Sequence, residues 1–166
     1  MRQRAVIAMA LACKPRLIIA DEPTTALDVI VQHQILEEIK ALQRKFELSI
    51  LLISHDISIV EDMCDDIAIM YAGEFIEYGS TGDVFDAPLH PYTKALLGSF
   101  PTLADDREDL AHIPGAAPAL ISIPSGCRFH DRCAIGEQTC TLSHPEWTRF
   151  SRGHKVRCFK CPGEGA

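Results

Sequence analysis

The sequence predicts an α/β protein: parallel strands with covering helices, followed by an irregular cysteine-rich C-terminal extension. Three observations carry this. Over residues 1–80, helical and strand patterns alternate as helix, strand, helix, strand, the pattern of a parallel sheet covered by helices. The strand candidates Leu17–Ala20 and Leu48–Ile53 are continuous apolar runs, as expected of strands covered on both faces. After Gly79, Pro and Gly become frequent, strand patterns vanish, and five of the seven cysteines fall between residues 127 and 161.

The elements follow in order. Arg2–Cys13 is rich in Ala, Met, Leu and Ile and reads as a buried helix, which Lys14-Pro15 ends. Leu17–Ala20 reads as a buried strand. Val31, Ile35, Ile39, Leu42 and Phe46 recur at helical spacing and predict an amphipathic helix over 29–46. Leu48–Ile53 is the second buried strand, ended by Ser54-His55-Asp56, and a short helix follows through Cys64. Ile67–Tyr71 and Phe75–Tyr78 flank Ala72-Gly73-Glu74, which predicts a hairpin. The change of character places a domain boundary near 98–115, giving a core of residues 1–98 and an extension of 99–166. There is no internal repeat.

Length and composition narrow the class. A chain of 166 residues suits one ordinary domain, and a hydrophobic fraction of 47% allows a packed core. A net charge of −7 and a pI near 5.4 argue against nonspecific nucleic-acid binding, which needs a basic face. No apolar run approaches the ~20 residues of a membrane span. The start superficially resembles a secretory signal, but its apolar stretch Ala5–Cys13 is short. Lys14-Pro15 follows that stretch without a small-residue cleavage pattern.

The stretch LIIADEPTTALD at residues 17–28 carries the chemistry. Adjacent acids at a strand end are often only solvated turn residues. Here Asp21 and Glu22 end one predicted parallel strand and His55 ends the next, and ligands of parallel sheets bind at the carboxyl ends of the strands. Four apolar residues followed by Asp is the pattern of a Walker B strand, whose carboxylate reaches a magnesium ion on nucleotide phosphates. A following Glu can orient and deprotonate an attacking water, and a His on the neighbouring strand can contact the terminal phosphate.

With LLISHDISIVEDMCDDIAIMYAGEFIEYG, this stretch resembles the second half of an ABC-transporter ATPase, over residues 1–80 without a gap. The resemblance implies the carboxyl-terminal half of a P-loop ABC ATPase core. It puts Leu17–Asp21 in the Walker B segment, Glu22 in the position of the base, Thr25–Asp28 in the D-loop and His55 in the switch position. By the same resemblance, Asp21 holds Mg2+ through water, His55 senses the terminal phosphate of ATP, and Asp28 lies across a nucleotide-sandwich dimer with a second ABC ATPase subunit. MRQRAVIAMALA resembles the helix that follows the family's signature motif, and no G-x-x-x-x-G-K-[ST] loop occurs in the 166 residues. The chain is therefore expected to open inside the family domain and to be inactive alone.

The tail narrows the resemblance. HPYTKALLGSFP, IPGAAPAL, IPSGCRFHDRCAIGEQTC and HKVRC resemble the C-terminal extension of oligopeptide and dipeptide importer ATPases; Asp131 departs from it, standing where members often carry Pro. This implies ATP hydrolysis coupled to peptide import through membrane permease subunits, with a peptide-binding protein as an indirect partner. The implied location is peripheral, on the cytoplasmic face of the membrane. Cys127, Cys133, Cys140 and Cys158, spaced C-x5-C-x6-C-x17-C, are a candidate metal set, since clustered cysteines of a reducing compartment more often bind metal than form disulfides. Four thiolates suit a [4Fe–4S] cluster, which some members of the resembled subfamily bind, or Zn2+; unmetallated thiols are the third reading. Cys161 is a substitute for Cys158. Cys13 and Cys64 read as small core residues, His33 as solvated, His130 as a turn residue and Trp147 as a packing anchor. Two rival readings are a DNA-repair or chromosome-type ABC ATPase and a non-hydrolytic metal-binding regulatory module.

Overall fold

The computed structural model describes residues 2–25, 27–99, 113–150 and 153–161. The chain forms two compact units, Met1–Cys64 and Asp65–Ala166.

The first unit runs α1 (Arg2–Ala12), β1 (Leu17–Asp21), α2 (Val29–Phe46), β2 (Ser49–Ile53) and α3 (Ile57–Met63). β1 and β2 pair in parallel, from Leu17 opposite Ser49 to Asp21 opposite Ile53, so both strands end on the same edge. α2 matches its predicted span. Its N-cap is Asp28, whose carboxylate accepts from Val31 N–H at 2.9 Å, and Ile35, Leu36 and Ile39 form its buried stripe. The helix closes on Glu47 in the left-handed conformation, φ 52°, with Arg44 and Lys45 in the last turn where cations favour the helix dipole. Asp56 caps α3, accepting from Ser58 and Ile59 N–H at 3.0 and 3.4 Å.

The expectation of buried strands and a buried first helix is not met. Both strands alternate between exposed and half-buried residues. Leu17, Ile19, Leu51 and Ile53 share one open face of the two-stranded sheet, and Val6 and Met9 of α1 are exposed. The apolar runs were read correctly as strands, but only one sheet face is covered in this unit. A cavity of about 170 Å³, lined by Val6, Ile7, Ile18, Ile39, Leu42 and Leu48, lies between α1, β1 and α2. Cys13 is exposed rather than a core residue.

The second unit is built on β3 (Asp66–Tyr71) and β4 (Glu74–Ser80), antiparallel and joined by Ala72-Gly73. Both turn residues have positive φ, 48° and 77°, the backbone of a type I′ hairpin turn. β5 (Thr148–Arg149) and β6 (Lys155–Val156) complete a four-stranded sheet of order β3-β4-β6-β5. Strands therefore do recur after Gly79, but two-residue strands leave no periodicity to read. α4 (Thr81–Asp86) is capped by the Ser80 hydroxyl and α5 (Pro91–Leu97) by the His90 ring; α6 (Gln138–Leu142) comes late in the chain. Ile67, Ile69, Tyr71, Ile76, Val84, Phe129 and Val156 form the core. Within it Tyr71, Tyr92 and Phe129 pack as a trio with ring centroids 4.7–5.4 Å apart. The HPY tripeptide thus caps a helix, opens it with proline and adds a ring to the core.

The compact units divide at residue 64; the boundary expected near 98–115 lies mostly outside the described residues. The hairpin belongs with the tail because β4 pairs with β6, Glu77 opposite Val156 and Tyr78 opposite Lys155.

Candidate active site

In the first unit the parallel register brings Asp21 to the end of β1, and Glu22 N–H donates to Ile53 O at 2.9 Å, extending the ladder by one step. The chain then leaves the strand through Glu22, which takes φ 46°. That left-handed conformation is uncommon for a side-chain-bearing residue and recurs at functional sites. Pro23 follows, and Thr25 N–H closes the turn on Glu22 O at 3.2 Å.

The turn aims the Glu22 carboxylate at the end of β2. Its Oε1 accepts from His55 N–H at 3.0 Å and lies 2.7 Å from His55 Nδ1. An ionised carboxylate only accepts, so Nδ1 carries the proton and Nε2 faces outward as the other ring nitrogen. Oε2 accepts from the Thr25 hydroxyl at 3.2 Å. The His55 hydrogen bond holds the Glu22 carboxyl below its ordinary range, and the same bond and the carboxylate charge raise His55. Both groups are open to water, the His55 side chain 83% exposed. Asp21, exposed beside Glu22, completes a carboxylate pair of the kind that serves a hard divalent cation. Three of the sequence-predicted residues, Asp21, Glu22 and His55, therefore meet on one strand edge. The fourth, Asp28, is engaged locally as the α2 cap.

The second unit holds the cysteines. Cys127, Cys133, Cys140 and Cys158 line one pocket with His90, Phe129 and Ile135. Cys127 N–H donates to Cys140 O at 2.8 Å, and Gly126 lies so close that a Cβ there would meet Cys140 O at 2.2 Å. Burial raises the thiol pKa of Cys127 and of Cys133. Cys158 is drawn down to about 6, chiefly by a hydrogen bond from the Cys161 thiol, then by backbone N–H groups and the Lys94 charge, against burial. Cys161 is raised as the partner that keeps its proton, and its sulfur also lies 3.2 Å from Leu89 O.

The expected metal centre is not preformed. Among the described residues no group of three or more His, Cys, Asp or Glu stands as metal ligands. The pocket between them is small, with free space of about 10 Å³. The thiols have the chemistry of a soft-metal donor set and share a wall, but they stand apart.

Sequence reasoning missed several groups. Thr25 was placed in the D-loop segment, but its hydroxyl contact with Glu22, three residues back across a proline turn, was not foreseen. Glu77 is fully buried, and its carboxylate accepts from Leu89 N–H at 2.7 Å and His90 N–H at 2.9 Å and pairs with His154 Nε2 at 2.8 Å. Glu74 gathers Arg128, His144 and Arg157, and the Arg157 guanidinium lies 5.0 Å from the Trp147 ring centroid. A strand glutamate beside Phe75 and Ile76 gives no hint of partners some seventy residues away. His33 is exposed as expected, and His130 sits in a 3-10 turn with Nδ1 2.7 Å from Cys127 O.

A solved ABC transporter, described as metal-chelate type in an inward-facing conformation, superposes with a TM-score of 0.50 at 26% identity, covering 58% of this chain and 36% of that one. Residues 76–140 match the family described as oligopeptide/dipeptide transporter, C-terminal region. Over all 166 residues the chain is 46% identical to the oligopeptide transport ATP-binding protein AppD of Bacillus subtilis, covering 51% of it. Over 159 residues it is 50% identical to the dipeptide transport ATP-binding protein DppD of the same organism, covering 96% of this chain and 48% of that protein. The chain is similar over nearly all of its residues to oligopeptide and dipeptide transport ATP-binding proteins, and residues 76–140 carry the match to the transporter C-terminal region. It spans about half the length of the curated relatives it matches. Among the described residues no helix is long and apolar enough to cross a membrane.

Proposed function

We propose that this chain is part of the ATPase subunit of a peptide importer. In the complete subunit it would couple ATP hydrolysis to oligopeptide or dipeptide import through membrane permease subunits. The observation that carries the reading is the Glu22–His55 pair, held at 2.7 Å on the carboxyl edge of two parallel strands beside Asp21. The likeness to peptide-transport ATP-binding proteins supports the transport role over a DNA-repair one. It also favours a peripheral position on the cytoplasmic face of the membrane, a second ATPase subunit as partner, and a peptide-binding protein acting indirectly.

Each residue has a role its setting suits. Asp21 would hold Mg2+ through water; the ion, when bound, offsets phosphate charge. Glu22 would take the proton of the attacking water, since its carboxylate is ionised and solvent-facing. His55 would present Nε2 to the terminal phosphate, its ring fixed by Glu22 at Nδ1. Asp28 would address the sandwich partner from the start of α2. The 166 residues hold no phosphate loop, so the chain alone would not turn over ATP.

The reading is tested on the complete subunit, assembled with its permease and peptide-binding protein in proteoliposomes. Peptide-stimulated ATP hydrolysis with peptide accumulation supports it, and so does loss of both on His55→Ala. Hydrolysis indifferent to di- and oligopeptides overturns the transport role.

The thiol pocket carries a second, separate proposal, resting on the shared wall of Cys127, Cys133, Cys140 and Cys158. These four would bind one soft-metal centre, [4Fe–4S] or Zn2+, if the thiols draw together on binding. Iron, sulfide and zinc content after anaerobic purification decides. Metal that is lost when any one of the four becomes Ser supports the site. A metal-free protein whose Ser variants melt like the parent means the cysteines are packing only.

A further inference from the structure

Of the two oxygens of Glu22, Oε1 is held twice by His55. Oε2 is held once, by the Thr25 hydroxyl at 3.2 Å. The backbone makes that contact specific. Glu22 takes a left-handed φ of 46°, Pro23 follows, and Thr25 N–H returns to Glu22 O at 3.2 Å. The turn therefore fixes the Thr25 side chain over the carboxylate rather than leaving it to chance on an exposed loop.

We propose that Thr25 is a positioning residue for Glu22, sharing with His55 the hold on the carboxylate plane so that Oε2 presents its remaining lone pair to the attacking water. This rests on the assignment of Glu22 as the base. A carboxylate oxygen has two acceptor directions. With Thr25 on one of them, the other has a defined aim. The terminal torsion of Glu is broad, so without Thr25 only the His55 contacts on Oε1 oppose its rotation.

The test uses the complete ATPase subunit assembled with its partners, assayed with Mg2+ and ATP. Thr25→Val keeps the shape and removes the hydroxyl. It should lower kcat about three- to tenfold, the loss expected for one hydrogen bond, with KM for ATP unchanged. Thr25→Ser restores the hydroxyl and should bring kcat back to within twofold of the parent. Glu22→Gln in the same assay separates the two assignments. If Glu22→Gln abolishes turnover while Thr25→Val turns over like the parent, Thr25 has no positioning role and the base assignment stands. If Glu22→Gln turns over normally, the base assignment fails and this inference fails with it. If Thr25→Ser is as slow as Thr25→Val, or if Thr25→Val acts through KM alone, the hydroxyl is not what matters and the inference is overturned.

Discussion

His55 contacts one oxygen of Glu22 twice, through its backbone N–H at 3.0 Å and its ring Nδ1 at 2.7 Å. The double contact ties the end of β2 to the residue after β1. It also sets the ring, because Nδ1 must carry the proton and Nε2 is left for another partner. The two groups stabilise each other's charged forms: His55 is raised, and Glu22 is lowered. The pair is fully formed only in the window between the two. As pH falls through the lowered Glu22 value the carboxylate is lost, and as pH rises through the raised His55 value the imidazolium is lost.

The 166-residue chain on its own should show neither tight ATP binding nor hydrolysis. The backbone N–H cradle and lysine of a phosphate loop supply most of the phosphate grip, and these residues contain none. Calorimetry with Mg2+ and ATP, and a phosphate-release assay, should both read blank. Magnesium-dependent turnover that Glu22→Gln removes would contradict this.

Acid should weaken the unit that begins at Asp65, through His90. Burial holds this ring down at about 4, against 6.5 for an exposed histidine. Between those values the unfolded chain binds a proton that the folded chain refuses. The stability that neutral His90 contributes is therefore complete above about pH 6.5, declines as pH falls, and is gone below about 4. A shift of this size is worth about 3 kcal/mol. Trp147, the one tryptophan, lies in this unit and reports its denaturant midpoint. His90→Asn keeps a capping side chain and should flatten the pH dependence across that window.

Glu77→Ala should cost roughly 3–5 kcal/mol, because it leaves the N–H groups of Leu89 and His90 and the His154 ring without their buried acceptor. Glu77→Gln should cost less but still destabilise, since its amide turns one N–H toward a donor. Trp147 fluorescence in urea measures both. A loss under about 1 kcal/mol for Glu77→Ala would mean water replaces the carboxylate at no penalty.

Gly126→Ala should disturb the cysteine pocket at its backbone. The new Cβ would fall 2.2 Å from Cys140 O and 2.7 Å from Thr141 C and O, atoms that no rotamer change can move. A loss of roughly 1–3 kcal/mol is expected, as for overpacking elsewhere. Faster cleavage within residues 113–150 under limited proteolysis is the readout. Unchanged protection would show that the two segments separate freely.

The strand-end placement of Asp21, Glu22 and His55 was legible because it is local. A run of apolar residues ending in Asp21-Glu22, and a second ending at His55, implied a shared edge once the strands were taken as parallel. The in-register pairing of β1 and β2 delivers that edge. The amphipathic helix over 29–46 was legible for the same reason, since its buried residues repeat within two turns. What could not be read depends on long separations. Burial of β1 and β2 was inferred from composition, but an apolar run records only that a face is suited to cover. The β4–β6 pairing joins residues near 77 to residues near 156, and β6 is two residues long. Glu77 and His154 are buried partners for that reason alone. The cysteine spacing brought four thiols to one pocket but said nothing of their separation within it.

The most direct measurement is ATP turnover by the complete transporter with Glu22→Gln beside the parent. The substitution keeps the side-chain shape, with the amide oxygen toward His55 and the amide N–H toward the Thr25 hydroxyl, and removes the negative charge and the proton acceptor. If Glu22 is the base, turnover should fall at least a hundredfold, the scale of a lost general base, while Mg2+–ATP affinity stays within a few fold of the parent. Turnover within a few fold of the parent would contradict the account.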